Sequence, residues 1–213
     1  MRLQVAIDRV SMERADEIIK LTGGYADIIE VGTSLIKDFG LSGSVKILKD
    51  KYSGQCILAD IKTCDEGEYE FREAYKAGCD ISTVMGFSSI STLKACQKVA
   101  QEYQKEYMID LLEVSEKKLE ELKKIFPEAI FCVHLPSDKQ GNGLKELVAH
   151  MCGQLKGIGK IAVAGGVTFD TLDIMKQAGV DIVIVGGAIT KEQDITTATR
   201  KFSEAVRGGK ERC

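Results

Sequence analysis

The chain has 213 residues, 44% hydrophobic and 29% charged, with a net charge of -3 and a pI near 5.6. That is enough chain for one large core, and the mild acidity, with no basic or basic-aromatic tract, excludes an electrostatic footprint for nucleic acid or an anionic membrane. The seven cysteines (Cys56, Cys64, Cys79, Cys96, Cys132, Cys152 and Cys213) are odd in number and show neither CxxC pairs nor zinc spacing; with no leader-like or bilayer-length apolar run after Met1, they predict free thiols in a soluble, cytoplasmic protein.

The first β-rich apolar run, 3–7, ends at Asp8, and a helical pattern over 12–21 follows Ser11, which suits an N-cap. Strand 28–31 contains Glu30 near its end and is followed by helix 44–51. Strand 56–59 leads into Asp60, and helix 66–77 stops at Gly78. Strand 81–85 and helix 92–103 come next, then strand 107–109, ending at Asp110, and helix 115–126, stopped by Pro127. Strand 129–133 ends at His134 and precedes helix 144–155. Strand 160–164 ends at Gly165-Gly166 and is followed by helix 171–177 before Gly179. Strand 182–185 ends at Gly186-Gly187, helix 195–206 closes the pattern, and Gly208 to Cys213 read as a frayed tail.

Eight alternating βα units mean a parallel sheet covered by helices, either an open doubly wound sheet or a closed barrel. Eight units with one polar edge favour a single-domain (β/α)₈ TIM barrel over residues 1–207. In such a barrel the C-terminal strand ends share one rim, where active sites are built. Asp8, Glu30, Asp60, Asp110, His134 and the two glycine pairs all fall there, and only the fourth strand, ending at Met85-Gly86, lacks site chemistry.

The densest cluster is Asp60-Ile61-Lys62-Thr63-Cys64-Asp65. Strand alternation puts Asp60 and Lys62 on one face, with Ile61 turned into packing. Unpaired charges in half-buried space are costly, so such a group pairs, binds a metal or does chemistry. Lys62 could act as a Schiff-base nucleophile only with a depressed pKa. Its neighbours Asp60 and Asp65 favour the ammonium form, which assigns it electrostatic work on a developing enediolate oxygen. Asp65 either anchors Lys62 or reaches a neighbouring subunit. Glu30 and Asp60, neighbours on the rim, suit Mg²⁺, or Mn²⁺ in its place, completed by water and substrate oxygens. His134 is titratable near neutrality and faces the same mouth, fitting a general acid/base, while His150 lies in a helical pattern and reads as surface. The glycine pairs Gly165-Gly166 and Gly186-Gly187 suit backbone N–H binding of a phosphate, with Thr190 nearby and Lys191 better suited to the surface.

The stretch Leu58-Ala59-Asp60-Ile61-Lys62-Thr63-Cys64-Asp65-Glu66-Gly67 resembles the D-x-K-x-x-D signature of the orotidine monophosphate decarboxylase superfamily, in the version found in 3-hexulose-6-phosphate synthases. Further fragments agree in order: Leu3 to Asp8, Asp27 to Thr33, Ile161 to Gly166 and Asp181 to Thr190. The resemblance implies a ribulose-phosphate-binding barrel with Mg²⁺ at Glu30 and Asp60, and Lys62 and His134 at the reacting carbons. It also implies Asp8 and Asp110 as substrate or network contacts and phosphate on the glycine pairs. The partners are a phosphorylated ketose and a small aldehyde, in a homodimer whose Asp65 crosses to the other site. The reaction the resemblance implies is reversible aldol addition of formaldehyde to D-ribulose 5-phosphate through a 1,2-enediolate.

Other members of the superfamily fit less well. Orotidine monophosphate decarboxylases continue the signature with Ile-Pro-Asn-Thr, whereas Glu66-Gly67-Glu68-Tyr69 follows here. The decarboxylase of 3-keto-L-gulonate 6-phosphate carries arginines at the positions of Ser137 and Ala188, and a ribulose-phosphate 3-epimerase needs histidines on the early strands. One departure from the synthases is the turn His134-Leu135-Pro136-Ser137-Asp138-Lys139-Gln140, in which Asp138 and Gln140 persist while their surroundings change. A non-catalytic sugar-phosphate-binding barrel is the contrasting reading, which would not require Asp60, Lys62, Asp65 and His134 together. Formaldehyde, another small aldehyde or a proton could each trap the same enediolate.

Overall fold

Every second residue of the strands faces inward, and the apolar members of that set fill the centre of a closed barrel: Ile28, Leu58, Ile81, Met108, Ile130, Cys132, Ala162, Ala164, Ile182 and Ile184. The alternate residues, among them Leu3, Val5, Ile29, Val31, Ile57, Phe131, Val163 and Val183, form a second core against the surrounding helices. Burial on both faces explains why the strands read as near-continuous apolar runs. The computed structural model describes residues 1–136 and 143–208.

The strands are β1 (Arg2–Ile7), β2 (Ile28–Val31), β3 (Ile57–Thr63), β4 (Ile81–Met85), β5 (Glu106–Asp110), β6 (Ile130–His134), β7 (Lys160–Ala164) and β8 (Ile182–Val185). Each pairs in parallel with its neighbour in sequence, and β8 closes on β1. The helices are α1 (Met12–Thr22), α2 (Thr33–Gly43), α3 (Val45–Lys51), α4 (Gly67–Lys76), α5 (Ile90–Tyr103), α6 (Glu116–Ile125), α7 (Leu144–Leu155), α8 (Leu172–Gln177), α9 (Gly187–Thr190) and α10 (Ile195–Arg207). The expected (β/α)₈ barrel is therefore the fold. Ser11, Ser89 and Ser115 cap α1, α5 and α6, each accepting a backbone N–H three residues on.

Three expectations need correction. Helix α2 has no counterpart in the sequence reading: Gly40, at φ 69°, breaks its regularity, and its glycines and serines obscure the apolar period. Strand β3 runs four residues beyond Ala59 and so includes Asp60 and Lys62. After Gly165-Gly166 the chain reaches only a short 3₁₀ turn at Phe169–Thr171 before α8, so no helix starts at that pair. Beyond Gly208, the C-cap of α10, the expected tail lies outside the described residues.

Asp27, Asp80 and Asp181 stand just before β2, β4 and β8, at the end of the barrel opposite the site. Their carboxylates accept the backbone N–H groups of Leu3, Ile57 and Ile161 at 2.8, 3.0 and 2.8 Å. Asp80 also pairs with Lys49 at 2.7 Å and with Lys105. These aspartates close the base of the barrel and leave the C-terminal rim free for chemistry.

Candidate active site

A cavity of 770 Å³ opens at the C-terminal end of the barrel, and it gathers Asp8, Glu30, Asp60, Lys62, Asp110, His134, Gly165, Gly166, Gly186 and Gly187. Nearly the whole sequence-predicted set thus shares one chamber. Asp65 is the exception: it is exposed, does not line the cavity, and accepts the Glu66 N–H at 2.9 Å.

Lys62 reaches the site through a bulge. Between Ala59 and Thr63 four steps along β3 match two along β4, from Ser82 to Val84. Lys62 takes up the excess in a left-handed conformation, φ 49°, at a cost of about 1 kcal/mol for a residue with a Cβ. Asp60 and Lys62 do converge, with Nζ 3.4 Å from Asp60 Oδ2, but the bulge and not plain alternation brings them together.

The stronger partner of Lys62 is Asp110, whose Oδ2 lies 2.6 Å from Nζ. Of the two roles open to Asp65, the anchoring of Lys62 falls instead to Asp110 and Asp60. Burial alone would lower the Lys62 pKa, but the charges of Asp60 and Asp110 outweigh it and hold the ammonium well above the ordinary lysine value. A Schiff-base nucleophile would need the opposite shift. Asp110 Oδ2 also meets His134 Nδ1 at 2.8 Å. Burial works to raise the Asp110 carboxyl, yet the His134 hydrogen bond and the Lys62 charge together bring it down to about 2. An ionised Asp110 makes Nδ1 the protonated nitrogen and leaves Nε2, which has no hydrogen-bond partner among the described residues, as the basic one.

Glu30 accepts from Gln4 Nε2 at 2.5 Å and has no cationic partner in contact. Burial, then the charge of Asp60, push its carboxyl up to about 8 against the lowering effect of that hydrogen bond. Asp60 accepts the Thr83 hydroxyl on Oδ1 at 2.9 Å, and the Thr33 hydroxyl shares its one proton between Oδ2 at 2.8 Å and the Asp60 carbonyl oxygen at 2.9 Å. Among the described residues no three His, Cys, Asp or Glu side chains converge as a metal centre. Glu30, with no ion pair among the described residues, and Asp60 together offer carboxylate oxygens, a hard-oxygen donor pair that fits a divalent cation with water and substrate completing the shell.

Asp8 braces the first turn of α2, its Oδ1 accepting the Ser34 N–H at 2.9 Å and the Ser34 hydroxyl. Gly165, at φ 87°, packs so tightly that a Cβ would lie 2.1 Å from the Leu135 carbonyl oxygen. Gly187 opens α9, and Thr190 and the exposed Lys191 also line the cavity, so Lys191 belongs to the rim as well as to the surface. His150 is exposed on α7, 3.2 Å from Glu116. Ser137, Asp138, Lys139 and Gln140 lie outside the described residues.

Four contributors escaped the sequence reading: Gln4, Arg9, Thr33 and Thr83, all lining the cavity. Gln4 and Thr83 carried a usable signal, each being a polar residue at an inward position of an otherwise apolar strand. The fourth strand, taken to contribute nothing, supplies Thr83.

A closed (β/α)₈ barrel with a lysine, carboxylates and a histidine at its C-terminal mouth defines an enzyme-type barrel. The chain belongs to the orotidine 5'-phosphate decarboxylase / HUMPS family, whose model matches residues 1–202. It is 34% identical over 210 residues to a 3-hexulose-6-phosphate synthase of Bacillus subtilis (strain 168), covering 97% of this chain and 99% of the relative. A crystal structure of a 3-hexulose-6-phosphate synthase superposes with a TM-score of 0.88 at 35% identity, covering 97% of this chain and 100% of the other. That of the Salmonella typhimurium synthase gives 0.90 at 31%, covering 99% and 100%.

Proposed function

We propose that the protein is a carbon-carbon lyase, a 3-hexulose-6-phosphate synthase that joins formaldehyde to D-ribulose 5-phosphate. The observation that carries the reading is end-to-end similarity to synthases at 34–35% identity. The lysine–aspartate–histidine network supports it, because it suits enediolate chemistry and is more than binding alone requires.

Glu30 and Asp60 would hold Mg²⁺, or Mn²⁺, which when bound supplies Lewis-acid stabilisation of negative charge on substrate oxygens. His134 Nε2 takes the proton from C1 of ribulose 5-phosphate, and the electron pair moves onto O2 to give the 1,2-enediolate. Lys62, held cationic, faces that developing charge. C1 then bonds to the formaldehyde carbon, and the aldehyde oxygen, now an alkoxide, recovers a proton from the His134 imidazolium. Asp110 keeps the ring in one tautomer and Nζ in place. Gly165, Gly166, Gly186 and Gly187 offer backbone groups to the phosphate at the rim.

A homodimer with shared sites completes the reading. A 590 Å³ groove of mixed character is lined by Ile36, Leu41, Ile61 and Tyr69 together with charged side chains that include Lys46 and Glu73, and Phe39, Tyr69 and Phe87 are exposed. Such a surface suits a partner subunit. Among the described residues no helix is long and apolar enough to cross a membrane, and the six described cysteines are free, which supports a reducing, cytoplasmic setting.

The test is a product assay with ribulose 5-phosphate, formaldehyde and Mg²⁺, run beside 3-keto-L-gulonate 6-phosphate. Hexulose 6-phosphate formation is expected. Release of CO₂ from the keto-gulonate substrate in its place would identify a decarboxylase, and inertness toward both would favour a binding protein.

A further inference from the structure

Thr83 lines the cavity among the charged groups of the site. It is 2% exposed, on the inward face of β4. Its Oγ1 lies 2.9 Å from the backbone N of Lys62 and 2.9 Å from Asp60 Oδ1. The direction of both bonds is fixed by valence: the Lys62 N–H can only donate, so the hydroxyl accepts there and gives its single proton to Asp60. One side chain thereby ties the main chain of the lysine to the carboxylate of the aspartate.

This tie falls where β3 needs one. The bulge between Ala59 and Thr63 removes regular β4 pairing, and Lys62 is left-handed at φ 49°. Without an acceptor that part-buried N–H would be unpaired, and the left-handed conformation would lose a main-chain tie to β4. The β-branch of threonine narrows its χ1 choice, which makes the restraint stiff. Thr33 and Lys62 hold Asp60 Oδ2, and Thr83 is the hydroxyl donor to Oδ1.

We propose that Thr83 is a positioning residue, whose hydroxyl holds Lys62 in its left-handed conformation and fixes the Asp60 carboxylate so that both face the substrate in register. The catalytic part of this inference rests on the synthase reading above; the positional part does not.

Thr83→Val keeps the shape and removes the hydroxyl, and Thr83→Ser keeps the hydroxyl. For Thr83→Val, kcat is expected to fall about a hundredfold, as misplacement of reacting groups can cause, with KM for ribulose 5-phosphate within about threefold. Thr83→Ser is expected to stay within about fivefold of wild type, and both variants to melt cooperatively. Amide hydrogen exchange, which needs no activity, is expected to quicken about tenfold or more at Lys62 in Thr83→Val only, with Phe131 to Val133 unchanged. The proposal is overturned if Thr83→Val retains full kcat, if Thr83→Ser is as impaired as Thr83→Val, or if exchange at Lys62 is unaltered. Exchange rising throughout the barrel would overturn it too, as the mark of a merely structural role. A wild type inactive on ribulose 5-phosphate and formaldehyde would instead reject the synthase reading, leaving Lys62 exchange in the two variants to decide the positional claim.

Discussion

Lys62 Nζ lies 2.6 Å from Asp110 Oδ2, joining residues 48 positions apart in the chain across the mouth of the barrel. The same oxygen meets His134 Nδ1, so one aspartate orients both the cation and the imidazole proposed for the chemistry.

Replacing Asp110 by Asn should therefore uncouple all three. Removing one partner of a buried charge pair costs about 3 kcal/mol or more. We expect thermal denaturation of Asp110→Asn to show that loss, and kcat to fall at least about a hundredfold with KM for the phosphorylated substrate little changed, because the glycine pairs proposed to hold the phosphate lie on other strands.

The acid limb of stability has a defined sign. Asp110 falls from 3.8 in its ordinary state to about 2 in the fold. A depressed carboxyl contributes stability that is complete above the unfolded value and is lost as pH falls through the folded one, here on the order of 2 kcal/mol between pH 3.8 and 2. Denaturant melts of wild type and Asp110→Asn should show the wild-type advantage shrinking through that window. An advantage constant down to pH 2 would remove Asp110 as its source.

The base of the barrel makes the opposite kind of prediction. The Asp80 carboxylate accepts from Lys49, Lys105 and the Ile57 N–H, far from the rim. Asp80→Asn should cost about 1 to 3 kcal/mol in chemical denaturation, through a weakened buried hydrogen-bond set, with kcat unchanged at a temperature where the variant is folded.

The barrel itself is legible in sequence because burial on both faces of a parallel sheet writes each strand as an apolar run, and the site residues interrupt those runs at the same end. Glu30, Asp60, Asp110 and His134 are visible for that reason. What stays hidden is what depends on contacts between strands. No local pattern distinguishes Asp110 from Asp65 as the partner of Lys62, because the pairing spans β3 and β5. The β3 bulge leaves no mark of its own in Asp60-Ile61-Lys62. Gln4 and Thr83, being neutral, are marked only by their polarity at inward positions, a weaker signal than charge. Helix α2 is missed because Gly40 interrupts it.

Asp65 stands exposed, outside the cavity of its own barrel. If it serves a partner's site, mixing Lys62→Ala with Asp65→Ala dimers should restore up to about a quarter of wild-type activity, from hybrid dimers with one intact site. Demonstrated subunit exchange with no recovery would assign Asp65 to its own subunit.

Glu30 and Asp60 bear on the cation. Turnover should vanish in a chelator and return with Mg²⁺ or Mn²⁺, and calorimetry should show Asp60→Ala binding the ion at least about tenfold more weakly than wild type. Full turnover by chelator-treated, metal-free protein would exclude the assignment.

The most direct test of the central claim is proton exchange at C1 of ribulose 5-phosphate in D₂O with Mg²⁺ and no aldehyde, followed by ¹H NMR. An enediolate formed by this site should replace one C1 hydrogen with deuterium in the wild type and not in Lys62→Ala. Substrate that binds yet keeps both C1 hydrogens would contradict enediolate formation at this site.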